Sequence, residues 1–465
     1  MVELNSCKNI FFIGIGGIGM SALAIILKER GFNITGSDRA ESSTTKQLVK
    51  AGIQVTIGHN AENIHDSIDL IVYTSAISED NPEFCAARQK GKKVLERASM
   101  LDIMAKSKYS IGVSGTHGKT TTTSMISKIF LNAGMEPTLA VGGFIKEING
   151  SGYEGKGKYF IYEACEAYES FLKLHPNVAV ITNIDADHLD YYGSFENIKL
   201  AFTRYIAENI PSYGMVIYNR DDQPLRGVID SMKLTNSISV GINTPGCDFH
   251  AEDVTLYEFS SSFLVKNRGK TIGEFFVNIP GIHNVYNALL AIAACKINGI
   301  NVESIRKTLS NFKNADRRFQ LKFDSSHLMV IDDYAHHPSE IDATLNAAKN
   351  LSERKHAQLI AVFQPHLYSR TEFLYKDFAK SLCKADRVVL TEIYAARELN
   401  VNNISSQIIF DEVVKLIGKD NVVYSKELNE VPENIKPLMN DNNIIITLGA
   451  GDVWKVSDMF GTNKQ

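Results

Sequence analysis

The chain has 465 residues, is 44% hydrophobic and 22% charged, and carries a formal net charge of −4. That length exceeds one ordinary core and predicts two or three soluble domains; the near-balanced charge excludes a general pull toward nucleic acid and leaves anion binding to local sites. No apolar run approaches the ~20 residues that span a bilayer, and residues 1–8 lack the layout of an export signal. Six scattered cysteines with no CxxC pair argue against a disulfide framework or zinc site, so a cytoplasmic protein with reduced thiols is expected.

In chain order, residues 9–15, 32–37, 53–57 and 69–74 read as strands, with a helical pattern at 21–30 between the first two. Strands alternating with helices predict a parallel sheet with crossovers, closing near 93–96, after which 97–107 forms a helical linker. Within this unit Gly14-Ile-Gly16-Gly17-Ile18-Gly19 follows a strand and opens a helix, with Asp38 about twenty residues on. This is the dinucleotide fingerprint, with Asp38 placed for a ribose hydroxyl. The turn lets a diphosphate approach the backbone, which suits a nicotinamide cofactor or a nucleotide-sugar diphosphate.

A second α/β unit begins at 109–113 and includes strands at 159–163 and 178–183. Its first strand runs into Gly115-Thr116-His117-Gly118-Lys119-Thr120 and then Thr121, a glycine-bearing turn between strand and helix. Such a turn aims backbone N–H groups at an anion, with Lys119 reaching the β/γ-phosphates of a nucleotide and Thr120 offering its hydroxyl to Mg²⁺. The first glycine of the general phosphate-loop pattern is replaced by Val113. Glu163 ends the next strand, in Glu163-Ala-Cys-Glu166, and His188 follows the third, in Ile184-Asp-Ala-Asp-His188. Ligands bind beyond the carboxyl ends of parallel strands, so both are candidates for the metal and γ-phosphate. Residues 248–280 alternate polar and apolar around Asn267-Arg-Gly-Lys, predicting antiparallel strands at the sheet edge; 284–298 is then a helix ended by Gly299.

A third unit starts near Ala315, with strands at 328–332, 358–363, 387–392 and 443–448. Each ends in a polar signature: Asp332-Asp-Tyr334-Ala-His336-His337, Gln364-Pro-His366-Leu-Tyr-Ser-Arg370, Glu392-Ile-Tyr-Ala-Ala-Arg-Glu398 and Gly449-Ala-Gly-Asp452. Four such ends at one edge suggest a binding face, and Arg317-Arg318 at the junction adds cationic donors. His336-His337 has no companion ligand nearby and precedes Pro338, so a polar contact to substrate is preferred to a metal site.

Taken together, these motifs resemble the Mur ligase family over essentially the whole chain. The segments Gly281-Ile-His-Asn284-Val-Tyr-Asn287-Ala288 and Phe363-Gln-Pro-His366 belong to the same ordered series, and the phosphate loop and the Asp332–Pro338 and Phe363–His366 segments look like the alanine-adding member. The resemblance implies an α/β protein of three domains: a Rossmann-like UDP-sugar domain (1–97), a central phosphate-loop ATPase domain with an antiparallel edge (98–314) and a Rossmann-like C-terminal amino-acid domain (315–465). It implies ATP and Mg²⁺ as cofactors, UDP-N-acetylmuramate and L-alanine as substrates, and an acyl phosphate between them. By motif match, Gly115 to Thr121, Asn284, Asn287 and Arg317 would hold ATP, and Thr120, Glu163 and His188 the metal. Gly16, Gly17, Ile18, Gly19, Asp38, Ser75, Ala76, Arg318, Tyr334, His336, His366 and Arg370 would contact the sugar nucleotide or amino acid, with Lys119, His188 and Arg370 catalytic. Cys165 and Leu367 depart from residues common in the family, the second weakening a paired-arginine clamp on the amino-acid carboxylate. A tripeptide-adding sibling and, from another class, a nicotinamide oxidoreductase are the competing readings.

Overall fold

Short apolar runs bounded by glycine and polar residues set the strands of three separate sheets. The computed structural model describes residues 4–75, 77–396 and 398–461, so Ala76 lies outside the described residues. In the first sheet, β1 (Asn9–Ile13), β2 (Asn33–Asp38), β3 (Gln54–Ile57), β4 (Leu70–Tyr73) and β5 (Lys93–Glu96) pair in the order β3-β2-β1-β4-β5, all parallel. The order reverses between β1 and β4, and the glycine turn lies at that switch point, where the crevice of an open sheet forms. Residues 93–96, expected only to close the unit, are its fifth strand. The following helix, Ile18–Glu29, starts before the expected 21–30 because Gly17 is already its extended N-cap.

The central sheet has ten strands: β6 (Tyr109–Ser114), β7 (Thr138–Ile145), β8 (Gly150–Tyr153), β9 (Tyr159–Glu163), β10 (Val178–Ile181), β11 (Met215–Asn219), β12 (Ser237–Gly241), β13 (Phe249–Leu256), β14 (Ser261–Asn267) and β15 (Lys270–Val277). Their order is β15-β14-β13-β12-β11-β10-β6-β9-β7-β8. Strands β13, β14 and β15 form the antiparallel edge expected from the alternation at 248–280. Helices Lys119–Asn132 and Ile282–Ile297 contribute Ile126, Phe130, Val285 and Leu289 to one buried core with the sheet. Gly299, at φ +84°, ends the second helix: its N–H bonds Lys296 O and that of Ile300 bonds Cys295 O, which uses two otherwise orphaned carbonyls.

The third sheet comprises β16 (Gln320–Asp324), β17 (Leu328–Asp333), β18 (Gln358–Phe363), β19 (Arg387–Leu390), β20 (Val422–Tyr424) and β21 (Asn443–Leu448), in the order β16-β17-β21-β18-β19-β20. Only β16, an edge strand not expected from the sequence, runs antiparallel. The first and central units share a core: Leu23, Leu101 and Met104 join Phe160, Tyr162 and Ala179 in one buried cluster. Helix Ile18–Glu29 packs directly on β7 and β8. A Cβ on Gly152 would fall 2.7 Å from Ala22 Cα, so only glycine lets these backbones approach. That contact sets the glycine turn beside the strand end that carries Glu163. No described helix is long and apolar enough to cross a membrane.

Candidate active site

The phosphate loop is held in shape by the neighbouring strand end. Gly115 (φ +121°) and Gly118 (φ +82°) adopt backbone angles that side chains disfavour, and Gly118 is the N-cap of helix Lys119–Asn132. Asn183, just beyond β10, accepts from His117 N (2.8 Å) and donates to His117 O (3.1 Å), while Thr182 Oγ1 also donates to His117 O (2.6 Å). A Cβ on Gly115 would fall 2.9 Å from Thr182 N. The loop therefore leads into the open N-terminus of a fourteen-residue helix, which favours an anion there.

Lys119 Nζ donates to Gly115 O (2.5 Å) and Thr116 O (2.9 Å) and pairs with Glu166 at 2.8 Å. Burial opposes its charge, but Glu166, Cys165 and Glu163 more than offset this and raise its pKa. Glu166 stood in the quoted strand-end motif without a role; it is the buried counter-ion of the loop lysine. Thr120 Oγ1 donates to Glu163 Oε2 (3.2 Å), and Glu163 also accepts from Gly142 N (2.6 Å). Burial raises the Glu163 carboxyl, an effect that Gly142 and Lys119 resist.

His188 sits at φ +53° as the N-cap of a short helix, with its ring 6.4 Å from that of Tyr168 and its Nε2 3.8 Å from Asp187. Asp187 is the anchor here. Its Oδ1 accepts from His188 N (2.7 Å) and pairs with Arg370 of the third unit (2.9 Å). Burial opposes the Asp187 charge, but Arg370 and His188 hold its carboxyl far below the usual range. Arg370 Nη1 is buried with no hydrogen-bond partner. Leu367 caps the Arg370 helix (Tyr368–Leu382) at φ +72° and lines a small pocket with Arg370 and His188. A leucine in that left-handed region is strained, and its N–H is fixed to Tyr394 O at 3.0 Å.

A second seam lies over the phosphate loop. His117 Nε2 meets Asp185 Oδ2 at 2.8 Å and Nδ1 meets Glu340 Oε1 at 3.4 Å, while its ring lies 5.0 Å from that of His337. Burial works against a charge on His117, but the two carboxylates prevail and lift its pKa to about 9. Asp185 also accepts from the Ser339 hydroxyl, and His337 Nε2 donates to Ala186 O (3.1 Å). Asp185, Ala186 and Asp187 thus each bind the third unit. The alternating acids after β10 were visible in the sequence, but their partners, distant in the chain, were not.

Beneath this seam a cleft of ≈ 910 Å³ runs from His117, Gly118 and Thr121 to Asn284 and Asn287, roofed by Arg318 and Glu340. Both asparagines are buried; Asn284 donates to Pro280 O (2.6 Å) and Asn287 to Asn284 Oδ1 (3.1 Å). Of the arginine pair, Arg318 faces the cleft. Arg317 borders the adjoining cavity, but its guanidinium is spent on Asp332 (3.0 Å), Gly451 O (3.1 Å) and Gly449 O (2.5 Å). Those bonds tie the start of the third unit to two strand ends.

Where the three units meet, a cavity of ≈ 1360 Å³ is lined by Ile18, Ser21, Thr120, Gly143, Arg318 and Tyr334. A narrower one of ≈ 710 Å³ joins Gly17, Gly19, Arg97, Glu163 and Cys165. A Cβ on Gly19 would lie 3.2 Å from Arg97 Nη1, so this guanidinium covers the glycine turn. Arg97 was read only as part of a linker; its position makes it a candidate cation for a diphosphate there. Asp38 is turned inward: its Oδ2 accepts from Gly16 N (2.8 Å) and braces the turn from behind. Ser75 is exposed after β4. The rings of Tyr334, His336, His366 and Tyr394 follow one another at 5.3, 5.8 and 5.7 Å. Burial pushes His336 down to about 3, so its imidazole is neutral.

The domain models described as Mur ligase family, catalytic domain (residues 9–109), Mur ligase middle domain (113–295) and Mur ligase, glutamate ligase domain (317–451) match in that order. The chain belongs to the Mur ligase family. It is 44% identical to the UDP-N-acetylmuramate–L-alanine ligase of Acetivibrio thermocellus, covering 100% of this chain and 98% of that one. It is 45% identical to the ligase of the same name from Caldanaerobacter subterraneus subsp. tengcongensis, over 99% of this chain and 98% of that one. Among solved structures, the UDP-N-acetylmuramate-alanine ligase from Thermotoga maritima superposes with a TM-score of 0.82 at 31% identity, covering 98% of both chains.

Proposed function

We propose that this chain is an ATP-dependent ligase that joins L-alanine to UDP-N-acetylmuramate through an acyl phosphate. The observation that carries the reading is the convergence of the phosphate loop, the glycine turn and the third unit's Arg318 and Tyr334 on one three-way cavity, in a chain similar over its full length to alanine ligases. ATP lies with its phosphates at the amides of residues 118–120, where the helix starts, and its base toward Asn284 and Asn287. Lys119 exchanges its Glu166 contact for the β/γ-phosphates. The sugar nucleotide's diphosphate rests on the 16–19 turn beneath Arg97, and its lactyl carboxylate points to Thr120, Arg318 and Tyr334.

A hydroxyl and a carboxylate oxygen 3.2 Å apart at the loop's helix start are hard donors that suit Mg²⁺. Thr120 and Glu163 would hold the ion, with His188 the proposed third ligand; when bound it supplies charge neutralisation at the phosphates. A lactyl carboxylate oxygen attacks the γ-phosphorus, the bond to the β-phosphate oxygen breaks, and ADP leaves. The alanine amine, seated near His366 and Arg370, then attacks the acyl carbon. The carbon–oxygen bond to phosphate breaks, the amine loses its proton to solvent, and an amide remains. The chain's own contribution is positioning and fixed charge, since phosphorylation has already made the carboxyl a good acyl donor.

Cysteines without disulfide bonds fit the reducing cytoplasm proposed for this reaction. Phosphate release from ATP is expected only when UDP-N-acetylmuramate and L-alanine are both present. Equal release without the amino acid contradicts the proposal, and faster turnover with a tripeptide favours the recycling sibling.

A further inference from the structure

His337 has no companion ligand near it in the chain, but the fold brings companions from the central unit. His117 Nε2 and His337 Nδ1 lie 2.8 and 3.7 Å from the same oxygen, Asp185 Oδ2. These two imidazole nitrogens and one carboxylate oxygen lie within 4.8 Å of one another, the one such group among the described residues. The outward nitrogen of each ring is also held. His117 Nδ1 faces Glu340 Oε1 at 3.4 Å, and His337 Nε2 donates to Ala186 O at 3.1 Å. Ligating histidines are oriented in this way, with the far nitrogen fixed by a carboxylate or carbonyl so that the near lone pair faces the metal; on His337 that lone pair now accepts from Ser339 N at a long 3.4 Å, a bond the metal displaces. The Ser339 hydroxyl reaches Asp185 as well and puts a fourth donor atom, an oxygen, at the spot. Asp185 inside the set and Glu340 behind it together match the charge of a dication.

We propose that His117, Asp185 and His337 form a site for a divalent transition metal of the Zn²⁺ class, separate from the Thr120–Glu163 oxygen pair, whose occupancy clamps the third unit onto the phosphate loop. Two imidazoles with one carboxylate select Zn²⁺, Co²⁺ or Ni²⁺ over Mg²⁺ and Ca²⁺, which take oxygen ligands. The metal replaces the hydrogen bond between His117 and Asp185, whose proton leaves to solvent. His117 and Asp185 come from the central unit and His337 from the third, so the set exists only while the seam is closed. A ligand that binds one arrangement alone shifts the population toward it. The site does not depend on the ligase reading, because none of its tests measures turnover.

Co²⁺ is the probe, titrated into the full chain after chelator treatment, with excess Mg²⁺ present to fill oxygen sites. One equivalent should bind with the intense visible bands of a four- or five-coordinate ion, be displaced by one equivalent of Zn²⁺, and show two imidazoles by X-ray absorption at the cobalt edge. His337→Gln should abolish this binding, and Glu340→Gln should weaken it about 10- to 100-fold. Zn²⁺ alone should compact the nucleotide-free wild type in small-angle scattering and leave His337→Gln unchanged. A six-coordinate, oxygen-only cobalt spectrum, fewer than two imidazoles, or wild-type binding by His337→Gln overturns the site. Two imidazoles without compaction overturns the clamp. Should His337→Gln not fold, the imidazole count in the wild type decides alone.

Discussion

Replacing Asp187 with alanine removes the acceptor of the Arg370 guanidinium, and the cost follows from where that pair sits. The two groups are 2.9 Å apart, with side chains 10% and 8% exposed, and Arg370 Nη1 is already buried without a partner. Truncating one member of such a pair strands a buried charge and costs roughly 3–5 kcal/mol. This pair joins two units, however, so the chain can escape the penalty by opening the seam and rehydrating Arg370. The cost should fall on closure and not on unfolding. At about 3 kcal/mol the closed fraction drops on the order of 100-fold. Asp187→Ala should therefore lower kcat/KM for alanine by that factor while affinity for UDP-N-acetylmuramate stays within about twofold. Asp187→Asn keeps an acceptor oxygen for Arg370 and for His188 N, which now bonds Asp187 at 2.7 Å, and should fall in between. Steady-state phosphate release against alanine, with thermal melts and scattering on the nucleotide complexes, measures all of this. Wild-type kcat/KM in Asp187→Ala, or a stability loss as large as the activity loss, would refute the reasoning.

Lys119→Ala should slow ADP formation about 10²- to 10³-fold, as loss of one preorganised donor does, while calorimetry still detects sugar-nucleotide binding. Gly118→Ala forces a side chain onto φ +82° and puts its Cβ 3.2 Å from Asn287 Cγ; a loss of about 1–3 kcal/mol in chemical denaturation and weakened ATP binding are expected. Asp221 accepts from the backbone N–H groups of Ile242, Asn243 and Thr244 and from the Tyr286 hydroxyl, at 2.7–2.8 Å. Burial opposes its charge, but these donors bring its pKa down to about 2. A folded-state pKa below the unfolded one contributes stability above about pH 4 that is lost as pH falls toward the folded value. Thermal melts of the wild type and Asp221→Asn should therefore converge as pH drops from about 4 to about 2; a constant gap would contradict the sign.

The strands legible in the sequence are those with unbroken apolar runs in the sheet interiors. Tyr159–Glu163, Gln358–Phe363 and Asn443–Leu448 match the expected spans because burial on both faces leaves no polar interruption. The edge strands Gly150–Tyr153 and Gln320–Asp324 escaped, being glycine-rich or half polar, as one-sided strands are, and so did the interior strands Thr138–Ile145, Met215–Asn219 and Ser237–Gly241. The phosphate loop was legible because strand, glycines, lysine and helix are consecutive. The partners of its side chains were not. Glu163 ends β9 and Glu166 follows three residues on, and only the fold places Glu163 on Thr120 and Glu166 on Lys119. Arg317 and Arg318 are adjacent and chemically identical; the positive φ of Arg317 (+61°) and the carbonyls of Gly449 and Gly451 separate a structural tie from a cleft cation. Asp38 had the right spacing for a ribose, yet the same spacing lets it brace Gly16. Arg97 carried no signal beyond its charge, since its proximity to Gly19 arises from packing of the linker helix on the first unit.

The acyl phosphate is the central chemical claim, and isotope transfer reads it directly. UDP-N-acetylmuramate labelled with oxygen-18 in both lactyl carboxylate oxygens is turned over with ATP and L-alanine, and the released phosphate and the product are weighed by mass spectrometry. Attack by the carboxylate on the γ-phosphorus predicts one labelled oxygen in every phosphate released and one retained in the new amide. Unlabelled phosphate, or phosphate released without amide, would contradict the account.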